Sequence, residues 1–259
     1  MSRIVDSIYN IRLLDDLARK DTVIHRIHPV PKLLATIVYL IVVVSFDRYE
    51  ISGLLPFVMY PMVLILLAEL PAKPILKRLL MVEPLIIGIG ILNPIFDPRG
   101  WTTFSSIMIK SGLTVTTCLV LVATTGLDQI AQALRTIKVP SLFVLQLLLA
   151  FRYISVLIEE LARMLRAYAL RAPRQKGIRL KDSGSFAGQL LLRTLDRAQR
   201  VYDSMRLRGF SGEYHSYGKS TIKGKDLLYL LAWSLFFIAG RTYDLPAILG
   251  YLVEEAISR

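Results

Sequence analysis

A chain of 259 residues is long enough for one large or two small domains. Charged residues make up 20% of it and hydrophobic ones 54%, against about 25% charged in ordinary soluble domains, so composition argues against a water-soluble globule and for an integral membrane protein. The single cysteine, Cys118, excludes an internal disulfide framework and a cysteine-built zinc cluster.

The N-terminal stretch MSRIVDSIYNIRLLDDLARKD carries no apolar core of the kind a cleavable signal needs, so none is expected. His25 and His28 then form a His-x-x-His pair, with His215 far along the chain. No neighbouring carboxylate or thiolate completes a ligand set, so hydrogen-bonded interfacial histidines are expected rather than a metal site. Pro29 and Pro31 put His28 in a turn before the first span.

Charge-free runs follow at 33–46, 51–68, 84–96, 111–127 and 227–240, with a sixth at 139–151. A spanning helix needs about 20 mostly apolar residues, and only 51–68 comes close without interruption. Flanking Lys32, Arg48, Lys110 and Arg241 extend the others by snorkelling. The third run is interrupted by Pro84, Gly88, Gly90 and Pro94 and reads as an irregular or kinked span. The sequence 97-DPRG-100 is a turn signal. Lys110, at the edge of the fourth run, is either an intramembrane charge or a snorkelling interfacial lysine.

Beyond Gly126 the pattern changes. Residues 127-LDQIAQALRTIKVP-140 predict a short amphipathic helix stopped at Val139-Pro140. A long helix is predicted from Ser141 to Ala172, with Ile154, Leu157, Leu161 and Tyr168 on one side, Arg152, Glu159, Arg163 and Arg166 on the other, and Pro173 as its stop. A second long helix is predicted from Ser185 to Arg208. Its apolar side holds Ala187, Leu191, Leu195, Ala198, Tyr202 and Met205, and Gly209 closes it in a left-handed cap. A hydrophilic loop spans 211–225, the last span starts near Asp226, and the tail 245–259 is too short to count as another crossing. The regions are therefore 1–126 with about four spans, 127–225 as a basic helical layer, and 226–259 as a final span and tail.

Between Arg152 and Lys225 there are 16 Lys/Arg against 6 Asp/Glu, which places +10 of the net +12 in this layer. Nucleic acid is not an expected partner for a chain otherwise embedded in lipid, and the positive-inside tendency puts the layer in the cytoplasm. The loop 212-GEYHSYGKS-220 has five residues between Gly212 and Gly218 where a phosphate-binding loop has four, and no strand precedes it. No Ser/His/Asp or paired-carboxylate arrangement is present, and Glu159-Glu160 and Glu254-Glu255 read as solvated faces. Neither a catalytic site nor a cofactor is expected. Both long helices end alike, in Leu170-Arg171-Ala172 and Leu207-Arg208-Gly209. An arginine in a last turn complements the helix dipole. Two at matched ends also suit bidentate docking to carboxylates of another protein.

Several segments together resemble one family. The lead-in 21-DTVIHRIHPVPKLLATIVYL-40 resembles the Asp-x-x-x-His-x-x-x-Pro-x-x-Lys-Leu approach to the first span in the T component of energy-coupling-factor transporters. Segments 147-LLLAFRYISVLIEELARMLRAYALR-171 and 188-GQLLLRTLDRAQRVYDSMRLRGFSGEY-214 resemble its two coupling helices, with wording closest to the CbiQ cobalt/nickel branch. Family members often have Ala-Arg-Gly at the first motif, where this chain has Leu-Arg-Ala followed by Pro173. The resemblance implies an all-α, polytopic membrane protein with about five transmembrane helices and a cytoplasmic layer of long amphipathic coupling helices. It implies a multi-pass location in the cytoplasmic (inner) membrane. It further implies that Arg171 and Arg208, flanked by Leu170, Ala172, Leu207 and Gly209, enter grooves on two cytoplasmic ABC ATPase subunits, and that a separate membrane subunit binds the substrate. Cobalt or nickel is the implied cargo, with a vitamin open. A membrane enzyme, or a scaffold for anionic lipid, is the alternative of another class.

Overall fold

The computed structural model describes residues 17–96, 99–171, 179–212 and 222–242. Every regular element among them is a helix, in agreement with the expected all-α class. The fold divides into two compact units. One holds the described residues up to Ala133 and from Ile222 onward; the other holds those from Leu134 to Gly212.

The first unit opens with α1 (Pro29–Ser45). Proline at its first position needs no N–H partner, and His28 caps it by accepting the Val30 N–H at 3.2 Å. A 3-10 helix (Ser52–Val58) and α2 (Met59–Leu67) follow. The single span expected over 51–68 is thus two helix types in series. Pro56 and Pro61 lack the N–H groups a continuous α-helix needs there. The tighter winding lengthens the segment, since seven 3-10 residues and nine α residues reach about 27 Å.

Next come α3 (Ala72–Gly90), α4 (Asn93–Phe96) and α5 (Gly100–Thr125). The third run is interrupted less than expected at Pro84, which lies inside α3, and more at Ile91-Leu92, where the chain turns. At Gly100 a Cβ would stand 2.2 Å from the Asn93 carbonyl oxygen and 2.3 Å from Pro94 Cα, so only glycine fits the approach of α4 to α5. The short amphipathic α6 (Leu127–Thr136) comes after Gly126, and α9 (Gly224–Thr242) completes the unit.

Helix α5 packs against α1, α2 and α3, and α1 packs against α9. The core between them is aromatic. Tyr39, Phe57, Tyr60 and Phe237 are fully buried, with ring centroids 4.9 Å apart for Tyr39–Tyr60 and 5.0 Å for Tyr60–Phe237. The Tyr39 hydroxyl donates to Phe57 O at 3.0 Å. Lipid is as apolar as leucine, so shape and such polar contacts, rather than escape from water, hold these helices together.

The second unit contains α7 (Ser141–Arg171) and α8 (Leu180–Leu207), the latter starting a turn earlier than expected. The run at 139–151 has become the apolar first half of α7. Among the described helices, α5 and α7 are long and apolar enough to cross a membrane; α1 and the 52–67 segment are apolar but shorter. Ala172, Pro173, His215, the turn residues 97–98 and the 245–259 tail lie outside the described residues.

Candidate functional site

The site predicted from sequence rests on α7 and α8, which run antiparallel. Near the end of α7, the Tyr168 hydroxyl donates to Asp182 Oδ2 at 2.7 Å, and its ring meets Phe186 edge-on at 5.4 Å, both near the start of α8. At the middle, Glu160 accepts from Arg163 on its own helix and from Arg193 on α8. Its side chain is only 17% exposed. Glu160 therefore clamps the crossing, contrary to its reading as a solvated face. The i, i+3 arginine was the signal in the sequence; the α8 partner, 33 residues away, was not.

Beyond the crossing the helices diverge. The first half of α7 and the second half of α8 enclose a groove of about 840 Å³, lined by Leu145, Leu149 and Tyr153 on one side and Ala198, Tyr202 and Met205 on the other. The expected apolar stripe of α8 is thus present but largely uncovered, with Leu191, Leu195 and Tyr202 more than half exposed.

The two arginine motifs occupy opposite ends of this pair. Arg171 is the last residue of α7 and is exposed. Arg208 is the C-cap of α8 and is exposed as well. Gly209 takes φ +84°. Its N–H donates to Arg206 O at 2.9 Å, and the Phe210 N–H donates to Met205 O at 3.0 Å. These are the two bonds of a Schellman cap, as Gly209 predicted. Phe210 and Met205 both line the groove, which supplies the apolar contact that accompanies such a cap. The leucines before the arginines point away from their own chain: Leu170 is 84% exposed and Leu207 90%. From Phe186 to Arg208 the rise of α8 amounts to roughly 33 Å, so the tips are far apart.

A second polar centre lies in the first unit, where three helix ends meet. Asp226, 6% exposed, accepts the His28 N–H at 3.1 Å and the Lys223 N–H at 2.8 Å. One carboxylate therefore serves the N-terminal ends of both α1 and α9. Lys32, 2% exposed, donates to Thr124 O at 3.0 Å, the C-terminal end of α5, and interacts electrostatically with Asp226. The signs suit the dipoles: an anion at two positive helix ends, a cation at a negative one. His25 lies alongside, its ring bonded to the Thr22 hydroxyl at 2.7 Å and Leu17 O at 3.1 Å. Burial first, then the Lys32 charge, lowers its pKa. The histidine pair is engaged in hydrogen bonds, and no metal-holding group of His, Cys, Asp or Glu occurs among the described residues.

At the other end of α1, Lys110 of α5 donates to Phe46 O at 2.6 Å and Asp47 O at 3.2 Å. It caps the C-terminus of α1 as Lys32 caps that of α5. Neither lysine is a simple snorkelling flank.

The sequence profile of the CbiQ cobalt transport protein family matches residues 20–217. An uncharacterized protein of Methanocaldococcus jannaschii is 25% identical over 222 residues, 77% of this chain and 75% of that protein. The nickel permease LarQ of Lactiplantibacillus plantarum is 28% identical over 162 residues, 58% of each chain. The match covers the lead-in, helices α1 to α8, the clamp and both arginine tips, and ends before α9. The chain belongs to the CbiQ family of cobalt transport proteins, membrane transport components rather than catalytic enzymes.

Proposed function

We propose that this chain is the transmembrane coupling subunit of an energy-coupling-factor ABC importer. It joins two cytoplasmic ABC ATPase subunits to a substrate-binding membrane subunit and passes ATP-driven movement between them. The observation that carries the reading is the pair of exposed Leu-Arg tips at opposite ends of the antiparallel α7–α8 pair. Tips roughly 33 Å apart suit two separate protein grooves better than one. A guanidinium beside an exposed leucine offers a bidentate charge and an apolar anchor together. ATP hydrolysis belongs to the partners.

The first unit supplies about five spans in a cytoplasmic membrane, with α7 and α8 on the cytoplasmic side. The uncovered stripe and groove of the pair suit an apolar surface of the substrate subunit. Family membership and the likeness to a nickel permease favour cobalt or nickel as cargo; a vitamin remains the alternative substrate class.

The test is the double variant Arg171→Ala with Arg208→Ala in the full chain. It is expected to insert in the membrane at normal levels but to lose ATPase subunits on purification and to lose metal uptake. Each buried charge-assisted contact is worth about 2–5 kcal/mol on truncation. Normal uptake with normal recovery of the ATPases would overturn the reading.

A further inference from the structure

We propose that Asp226 and Lys32 are positioning residues of the coupling step, forming a knot that transmits movement of α7 and α8 to the membrane helices. The inference rests on the coupling role proposed above and names the residues that carry it into the first unit. Chain connectivity makes the place significant. The chain passes from the first unit to the second through the end of α5, Gly126 and α6, and returns at Lys223 to begin α9. Asp226 and Lys32 bind the end of α5 and the start of α9, and they bind both to the start of α1. The end of α5 and the start of α9, the span ends that flank the two connections, are therefore tied into one buried polar centre.

Helix ends are where helices fray, because their last N–H and C=O groups lack partners within the helix. A displacement arriving at a frayed end is absorbed locally. Here the Asp226 carboxylate holds two helix starts at once and the Lys32 ammonium holds a helix end, so the three helices move as one piece. Buried charges are a poor device for stability alone, since well-packed apolar residues often do as well. Directional bonds to three named helix ends fix their mutual register, which an apolar contact does not. The knot also gives a use to the lead-in motif: Pro29 starts α1, His28 presents its N–H, and Lys32 follows a turn later.

The test uses the intact complex of this chain with its ATPase and substrate subunits, reconstituted in vesicles. ATP hydrolysis and uptake of cobalt ion are measured together. Asp226→Asn and Lys32→Met keep side-chain size. Each is expected to leave complex recovery and ATP hydrolysis near the parent level and to lower cobalt taken up per ATP by about tenfold, within the range for coupling residues. Asp21→Asn, at an exposed ion pair with Arg26, is expected to change neither. Unchanged uptake per ATP in both variants overturns the proposal. So does a fall in hydrolysis and uptake together, in proportion to recovered complex, or a failure of both variants to yield complex. Either of those last results makes the knot a fold stabiliser only. If the parent chain itself recovers no ATPase subunits, the coupling reading fails and this inference falls with it; failure of the variants alone to show an effect leaves that reading standing.

Discussion

At the scale of single residues, the chain places its charges by helix end. Asp226 sits at two positive ends; Lys32, Lys110 and Arg241 sit at negative ones, the last donating to Ser45 O at 3.4 Å. The sequence showed these residues as flanks of apolar runs, and snorkelling was the natural reading. Apart from Lys223, three positions from Asp226, their partners are 63 to 198 positions away along the chain, which no local pattern exposes. His25 gives a test at this scale. Its folded pKa lies below its ordinary value because burial and the nearby Lys32 disfavour a second positive charge. Above about pH 6.5 the imidazole is neutral whether the chain is folded or not. As pH falls through that value the unfolded chain takes up the proton first, so stability is lost with acidification. Thermal unfolding in detergent should therefore fall between pH 7.5 and pH 5 with a component that His25→Gln removes. An identical pH profile in the variant would show that His25 is not the group responsible.

At the scale of elements, the ends of helices were more legible than their interiors. Gly209 predicted a left-handed cap, and the cap formed. A Cβ there would meet no atom within 4 Å, so the cost of Gly209→Ala is purely one of backbone conformation, about 1–2 kcal/mol. Amide hydrogen exchange at Arg206–Phe210 should speed up in that variant, and Gly209→Asn should show a smaller change because asparagine tolerates the left-handed region. Unaltered exchange would mean that the glycine is not what holds the tip. Runs free of charge were a weaker guide. The most continuous one, 51–68, is divided by Pro56 and Pro61 into two helix types. Helix α3 starts at Ala72, through Lys73, Lys77 and Arg78, because helical winding continues where a charge count stops. The apolar first half of α7 and its amphipathic second half form one rod of 31 residues, the long helix that the sequence predicted from Ser141. The antiparallel clamp at Glu160 was invisible for the same reason as the Asp226 knot: its partner belongs to another element.

At the scale of the molecule, the coupling role proposed above makes the matched arginines two sites rather than one. The antiparallel course of α7 and α8 puts Arg171 and Arg208 at opposite ends, with the Glu160 clamp between them. Residues more than about 7–10 Å apart without shared partners act independently, and the tips exceed that several-fold. If each tip enters the groove of a different ATPase subunit, Arg171→Ala and Arg208→Ala should each weaken association by a similar amount. The double variant should show their sum within about 0.5 kcal/mol. Dissociation of labelled ATPase subunits from the single and double variants measures this directly. A double variant no weaker than the worse single one would mean that the two arginines serve one shared contact, and the lever would then have a single working end. Additive loss supports two ends bearing on two subunits, the arrangement in which closure of the ATPase pair draws both tips at once and turns a change of distance between partners into rotation of the crossed helices about Glu160.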